Sequence, residues 1–99
     1  MRCCACCRMP APLAVVHPGE IHGIGVLFGL CARCNQANDR LPAGTRQKRM
    51  NAAAALAARD TTGRYWTARF PDHSAAELAA HMLGHPDTAP AAATALGWR

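Results

Sequence analysis

Cys3-Cys4-Ala5-Cys6-Cys7-Arg8 and Cys31-Ala32-Arg33-Cys34 are the two stretches whose reading decides the fold of this chain. The second is a single C-x-x-C. The first contains two that overlap, Cys3 with Cys6 and Cys4 with Cys7. Two intervening residues let both sulfurs of a pair turn to one point while backbone amides donate to the thiolates, and two such pairs form a tetrahedral site closed to substrate. Closure implies a structural metal, and zinc is the common occupant of tetrahedral thiolates. We therefore expect one structural Zn(II), held by Cys31 and Cys34 together with Cys4 and Cys7 or with Cys3 and Cys6.

The rest of the composition explains why a staple is needed. Of the 99 residues 51% are hydrophobic, but 22 of these are alanine and 6 are cysteine, and Leu, Ile, Val and Phe together number only 15. Alanine contributes little transfer free energy, and a chain of this size buries a modest fraction of its surface, so the core alone is thin. The length fits one domain.

Reading outward from the cysteines, residues 13–17 and 24–28 form two short apolar runs, separated by turn residues at 18–23, which predicts a β-hairpin. From Leu30 the period changes: Leu30, Cys34, Ala37 and Leu41 share one helical face, and Pro42 ends the predicted helix. Beyond Pro42 the chain becomes alanine-rich. Thr45 is a candidate cap for a helix running to about Arg59, and residues 64–70 alternate as a strand with Tyr65, Trp66 and Phe70. Ser74-Ala75-Ala76-Glu77 matches a capping box opening a helix that stops at Gly84, and residues 90–96 suggest a last short helix before Trp98. The expected fold is small α+β: a metal-binding module over residues 1–42 and a helical half with one extra strand over residues 43–99, packed on it in the same compact domain.

Several classes are excluded. The longest strongly apolar run, residues 24–32, is far shorter than the roughly 20 residues that cross a bilayer, so no membrane partner is expected. The start of the chain has no apolar stretch of the secretory kind, and paired cysteines in a reducing compartment are more often metal ligands than disulfides. A cytoplasmic location is the expectation.

The order of knuckle, hairpin and then a helix whose first turn supplies the last two cysteines resembles the treble-clef zinc finger, over residues 4–41. Cys4-Ala5-Cys6-Cys7-Arg8 looks like the C-x-x-C-basic knuckle of such fingers, with Pro10 leading out, which favours Cys4, Cys7, Cys31 and Cys34 as the ligands. Choosing Cys3 and Cys6 would put Cys7 where knuckles often carry glycine. The HNH nucleases build their site on the same scaffold, and the resemblance implies a catalytic role for His17 in the first strand and a metal-holding role for Asn35 after Cys34, with Asn38 one turn later. The sequence departs from that family at two points: Val16 stands where an acid usually accompanies the histidine, and the segment between His17 and Cys31 lacks an asparagine. A catalytic ion would be poorly held and the base unsupported, so no catalytic residue is assigned.

Eleven Lys and Arg against six Asp and Glu give +5, and four thiolates on one dication add +2 − 4 = −2, leaving +3. Arg33, Arg40, Arg46, Lys48 and Arg49 crowd into one stretch against a single acid, Asp39. Three of them sit near the start of the helix predicted from Thr45, where the macrodipole disfavours cations by a few tenths of a kcal/mol or so each. A local rule broken in this way suits a surface that meets phosphate. The favoured function is thus a non-catalytic zinc-binding protein acting on nucleic acid, or on a complex that handles it. An adaptor or inhibitor that contacts only protein, as in small mobile-element proteins, is the alternative, and a degenerate HNH-like nuclease the second. Tyr65, Trp66 and Phe70 could stack bases beside Arg64 and Arg69, but Trp66 and Phe70 read better as core. Asp72-His73-Ser74 is not a triad, and His81 with His85 is not a metal pair across Gly84.

Overall fold

The computed structural model of the protein describes residues 2–83. The helix expected at 90–96, Trp98, His85 and the stop at Gly84 lie outside them. Within them the chain forms β1 (Leu13–Ile21), β2 (Ile24–Cys31), α1 (Ala32–Asp39), α2 (Ala43–Arg59), β3 (Thr67–Phe70) and α3 (His73–Leu83). The three strands make one antiparallel sheet in the order β1-β2-β3. This is a small mixed α/β protein, and β3, from the second half of the sequence, extends the hairpin of the first.

The hairpin is longer than the sequence suggests. Its turn is only His22-Gly23, both at positive φ (50° and 82°), as a two-residue type I′ turn requires. Ile21 then pairs with Ile24, and hydrogen-bonded pairs alternate with non-bonded ones away from the turn. Pro18, opposite Leu27, falls at a non-bonded position, so its missing N–H would have faced away from β2. Because β1 is an edge strand, this proline costs no ladder bond, and residues 18–21 belong to the strand rather than to a turn.

Helix boundaries shift for equally local reasons. Leu30 and Cys31 complete β2, so α1 starts at Ala32. Pro42 does not end a helix but stands at the N-cap of α2, its carbonyl accepting the Arg46 N–H at 2.9 Å. Thr45 is therefore inside the first turn and caps nothing. Lys48 and Arg49 lie beyond that turn, so the macrodipole penalty expected from the sequence bears on Arg46 at most. The capping box fails too. Asp72 precedes α3 and its Oδ1 accepts the Ala75 N–H at 2.8 Å, while Glu77 pairs with His73.

The sheet separates two apolar clusters. Phe28 and Leu30 join Ala53, Ala54 and Ala57 of α2 on one face; Val16, Leu27 and Phe70 join Ala76 and Ala79 of α3 on the other. Alanines allow both helices to sit close to the strands. Gly25 lets the α3 entry come closest of all: a Cβ there would lie 2.0 Å from the Asp72 carbonyl oxygen and 2.9 Å from the Ala76 Cβ. Trp66 and Phe70 are buried, as expected of core residues, and so is Tyr65. Cys3 bridges to Tyr65, and its N–H donates to the Arg64 carbonyl at 2.8 Å, which ties the N-terminus to the segment entering β3.

Candidate metal centre and adjoining cleft

Cys4 and Cys7 sit on the loop before β1, Cys31 closes β2, and Cys34 lies in the first turn of α1. The hairpin returns the chain so that the four sulfurs lie within 4.8 Å of one another. Tetrahedral bonds of about 2.3 Å to zinc place sulfurs about 3.8 Å apart, so a small contraction seats an ion. None of these cysteines is in a disulfide. Four cysteines are therefore placed to bind a metal ion, and the set gathered is Cys4, Cys7, Cys31 and Cys34, not the alternative with Cys3 and Cys6.

Local backbone chemistry holds the first pair. The Arg8 N–H donates to the Cys4 carbonyl at 2.8 Å and the Cys4 N–H to the Met9 carbonyl at 3.0 Å, folding the knuckle back on itself. Arg8 sits at φ 65°, the left-handed position, a feature that its arginine side chain conceals in the sequence. The Cys6 N–H approaches the Cys4 sulfur at 3.4 Å. Ala5 N–H donates to Gly29 O at 3.1 Å, anchoring the knuckle to β2.

The electrostatics suit a cation. Burial pushes the Cys4 thiol up, but backbone amides of Cys31, Cys7 and Cys6 and the Cys31 side chain outweigh it and bring it down to about 7. Cys34 is raised, first by burial and then by Cys31 and the charge forming on Cys4. One thiolate forms readily, and its neighbours resist a second until a positive ion shares the site. Cys4, Cys31 and Cys34 are buried and Cys7 is exposed, so the cluster reaches the protein surface at Cys7.

The basic residues do not form one patch. Arg33 and Arg40 are exposed at either end of α1; Lys48 is exposed on α2. Arg46 and Lys48 are two residues apart on a helix, about 200° around its axis, so they face different ways. Arg49 reaches back across the fold and donates from Nη2 to the Cys6 sulfur at 3.0 Å. Arg33, Arg40, Arg46 and Lys48 have no carboxylate partner among the described residues.

His17 and Asn35, implied by the HNH resemblance, do meet: His17 Nε2 donates to Asn35 Oδ1 at 2.9 Å. Val16 is buried in the α3-side cluster, on the opposite face of β1 from His17. Asn38 is also buried, and its side-chain amide has no hydrogen-bond partner among the described residues.

A cleft of about 1390 Å³ runs along the outer edge of β1 between α2 and α3. His17 and Glu20 form its floor, Asp39 and Arg46 one wall, and His73, Glu77 and His81 of α3 the other. The sequence gives no sign of this cleft, because it depends on two helices flanking one edge strand. Glu77 is read there as a helix cap, and His81 is given no role.

No protein-family model, curated protein or solved structure matches this chain.

Proposed function

We propose that this is a non-catalytic zinc-binding protein that acts on nucleic acid, or on a complex handling it, through cations carried by a zinc-stapled scaffold. The observation that carries the reading is that Arg33, Arg40, Arg46 and Lys48 have no carboxylate partner among the described residues, while four cysteines gather closely enough to hold a metal. Zinc is the ion favoured by four thiolates in tetrahedral reach of one another. The order of knuckle, hairpin and helix supports the treble-clef reading of residues 4–41. Cations left without carboxylates keep their full charge for phosphate, and Arg33 and Arg40 are presented by the same short helix that carries Cys34.

Fluorescence anisotropy with single-stranded and duplex oligonucleotides at increasing salt tests this. Binding should weaken with a log–log slope of about −0.7 to −0.9 per phosphate contact, and neutralising Arg33, Arg40 and Lys48 together should flatten the slope by about two to three. Salt-insensitive capture of a protein partner, without oligonucleotide binding, would instead support the adaptor alternative.

The contact between His17 and Asn35 favours one second reading, a degenerate HNH-like nuclease. Metal-dependent nicking of plasmid DNA, abolished by His17→Ala, would establish it. The non-catalytic reading expects no nicking from either protein.

A further inference from the structure

We propose that the cleft holds a second cation site, made of imidazole and carboxylate and centred on Glu77. His73, Glu77 and His81 stand at i, i+4 and i+8 on α3, which puts them in one stripe, and all three line the cleft. His73 Nε2 already lies 2.5 Å from Glu77 Oε1. The other ring nitrogen, Nδ1, is buried without a partner among the described residues, so Nε2 is the atom offered to the cleft. Two bonds of about 2.1 Å at a right angle need donors about 3 Å apart. Both side chains are well exposed, at 40% and 58%, and can open by that half-ångström by rotation alone.

His81 has the same one-turn relation to Glu77 on its other side. The two histidines are separated by eight residues, about 12 Å of helix, and cannot share one ion. Glu77 is the ligand common to either chelate, so a single ion is expected, held by Glu77 and an adjacent imidazole, with water in the remaining positions. Charge supports a cation: with neutral imidazoles, Glu20, Asp39 and Glu77 against Arg46 leave the cleft at −2. Imidazole with carboxylate selects first-row ions such as zinc, nickel, copper or cobalt over magnesium or calcium. The site shares no ligand with the four cysteines and stands whether or not the protein binds nucleic acid.

Cobalt(II) added to the whole chain carrying one zinc, with excess zinc removed, tests the proposal, because that zinc keeps the sulfur site occupied and spectroscopically silent. One cobalt per chain should bind, with weak visible bands and no sulfur-to-metal charge transfer. Glu77→Gln should reduce its affinity at least tenfold while zinc content and melting temperature stay unchanged. In the unsubstituted protein the paramagnetic ion should shift or broaden the ring resonances of His73 or His81, a readout independent of how any variant folds. Failure to retain cobalt, equal retention by Glu77→Gln, sulfur charge-transfer bands, or unperturbed α3 histidines would each overturn the proposal.

Discussion

Replacing cysteines in pairs separates ligands from bystanders, and the structure sets the size of the difference. Cys4 is fully buried within the four-sulfur cluster, so Cys4→Ser removes a charged ligand from a site that cannot re-form. Structural zinc contributes about 10–16 kcal/mol in small fingers, and small domains are stable by only about 5–15 kcal/mol. Losing a ligand therefore removes most of the margin, and Cys4→Ser should be zinc-free and largely unfolded at 25 °C. Cys3 and Cys6 stand outside the group of four close sulfurs. Cys6→Ser alters one exposed contact with Arg49, worth about 0.5–1 kcal/mol. Cys3→Ser puts a hydroxyl into a buried position at a cost of about 1–2 kcal/mol. The double variant Cys3→Ser/Cys6→Ser should thus keep one zinc per chain and melt about 6–24 °C lower, at roughly 4–8 °C per kcal/mol for a domain of this size. Zinc analysis after exhaustive dialysis, together with thermal melts, reads both quantities. A zinc-free double variant beside a zinc-loaded Cys4→Ser would refute the ligand assignment.

Three further outcomes follow from particular contacts. Gly25→Ala drives a Cβ into the Asp72 carbonyl and should displace the start of α3, lowering stability by about 1–3 kcal/mol in a denaturant titration; an unchanged midpoint contradicts the close packing of α3 on β2. Asp60 is held below the ordinary carboxylate range, first by the Thr62 hydroxyl and also by the backbone amides of Tyr65, Thr62 and Arg64. A carboxylate with a lowered pKa stabilises the fold above its unfolded value and loses that contribution as pH falls through the folded one, so Asp60→Asn should flatten the acid limb of stability against pH below about 4; an identical limb removes the claim. Zinc uptake by the metal-free protein at pH 7 should release about three to four protons, because Cys4 is about half ionised there and Cys34 is not; release of one proton or none in a weakly buffered titration contradicts a four-thiolate site.

How much of this was legible beforehand differs by element. The gathering of four cysteines was, because C-x-x-C spacing is a local constraint and the hairpin between the pairs needs only apolar runs and turn residues. The helix ending at Arg59 was legible for a similar reason: in that alanine-rich stretch Ala53, Ala54 and Ala57 repeat at helical spacing, and all three are buried. Pro18 misled because a proline's tolerance depends on which way its missing N–H would point, and that is set by pairing with Leu27, not by neighbours in sequence. Ser74 and Glu77 misled because α3 already begins at His73, with Asp72 capping the Ala75 amide, which leaves Ser74 inside the first turn. Arg49 looked like a free cation, yet it spans 43 residues to reach Cys6. The cleft was invisible for a stronger reason: its walls come from helices on opposite faces of the sheet, which meet only around the edge of β1.

The central claim is that a metal on four cysteines replaces the hydrophobic bulk this alanine-rich chain lacks. Stripping the purified protein with a strong chelator while following far-ultraviolet circular dichroism tests it most directly. The expected result is one zinc released per chain with loss of helical signal and of the cooperative melt, both restored when zinc is returned. A spectrum and melting curve unmoved by complete metal removal would contradict it.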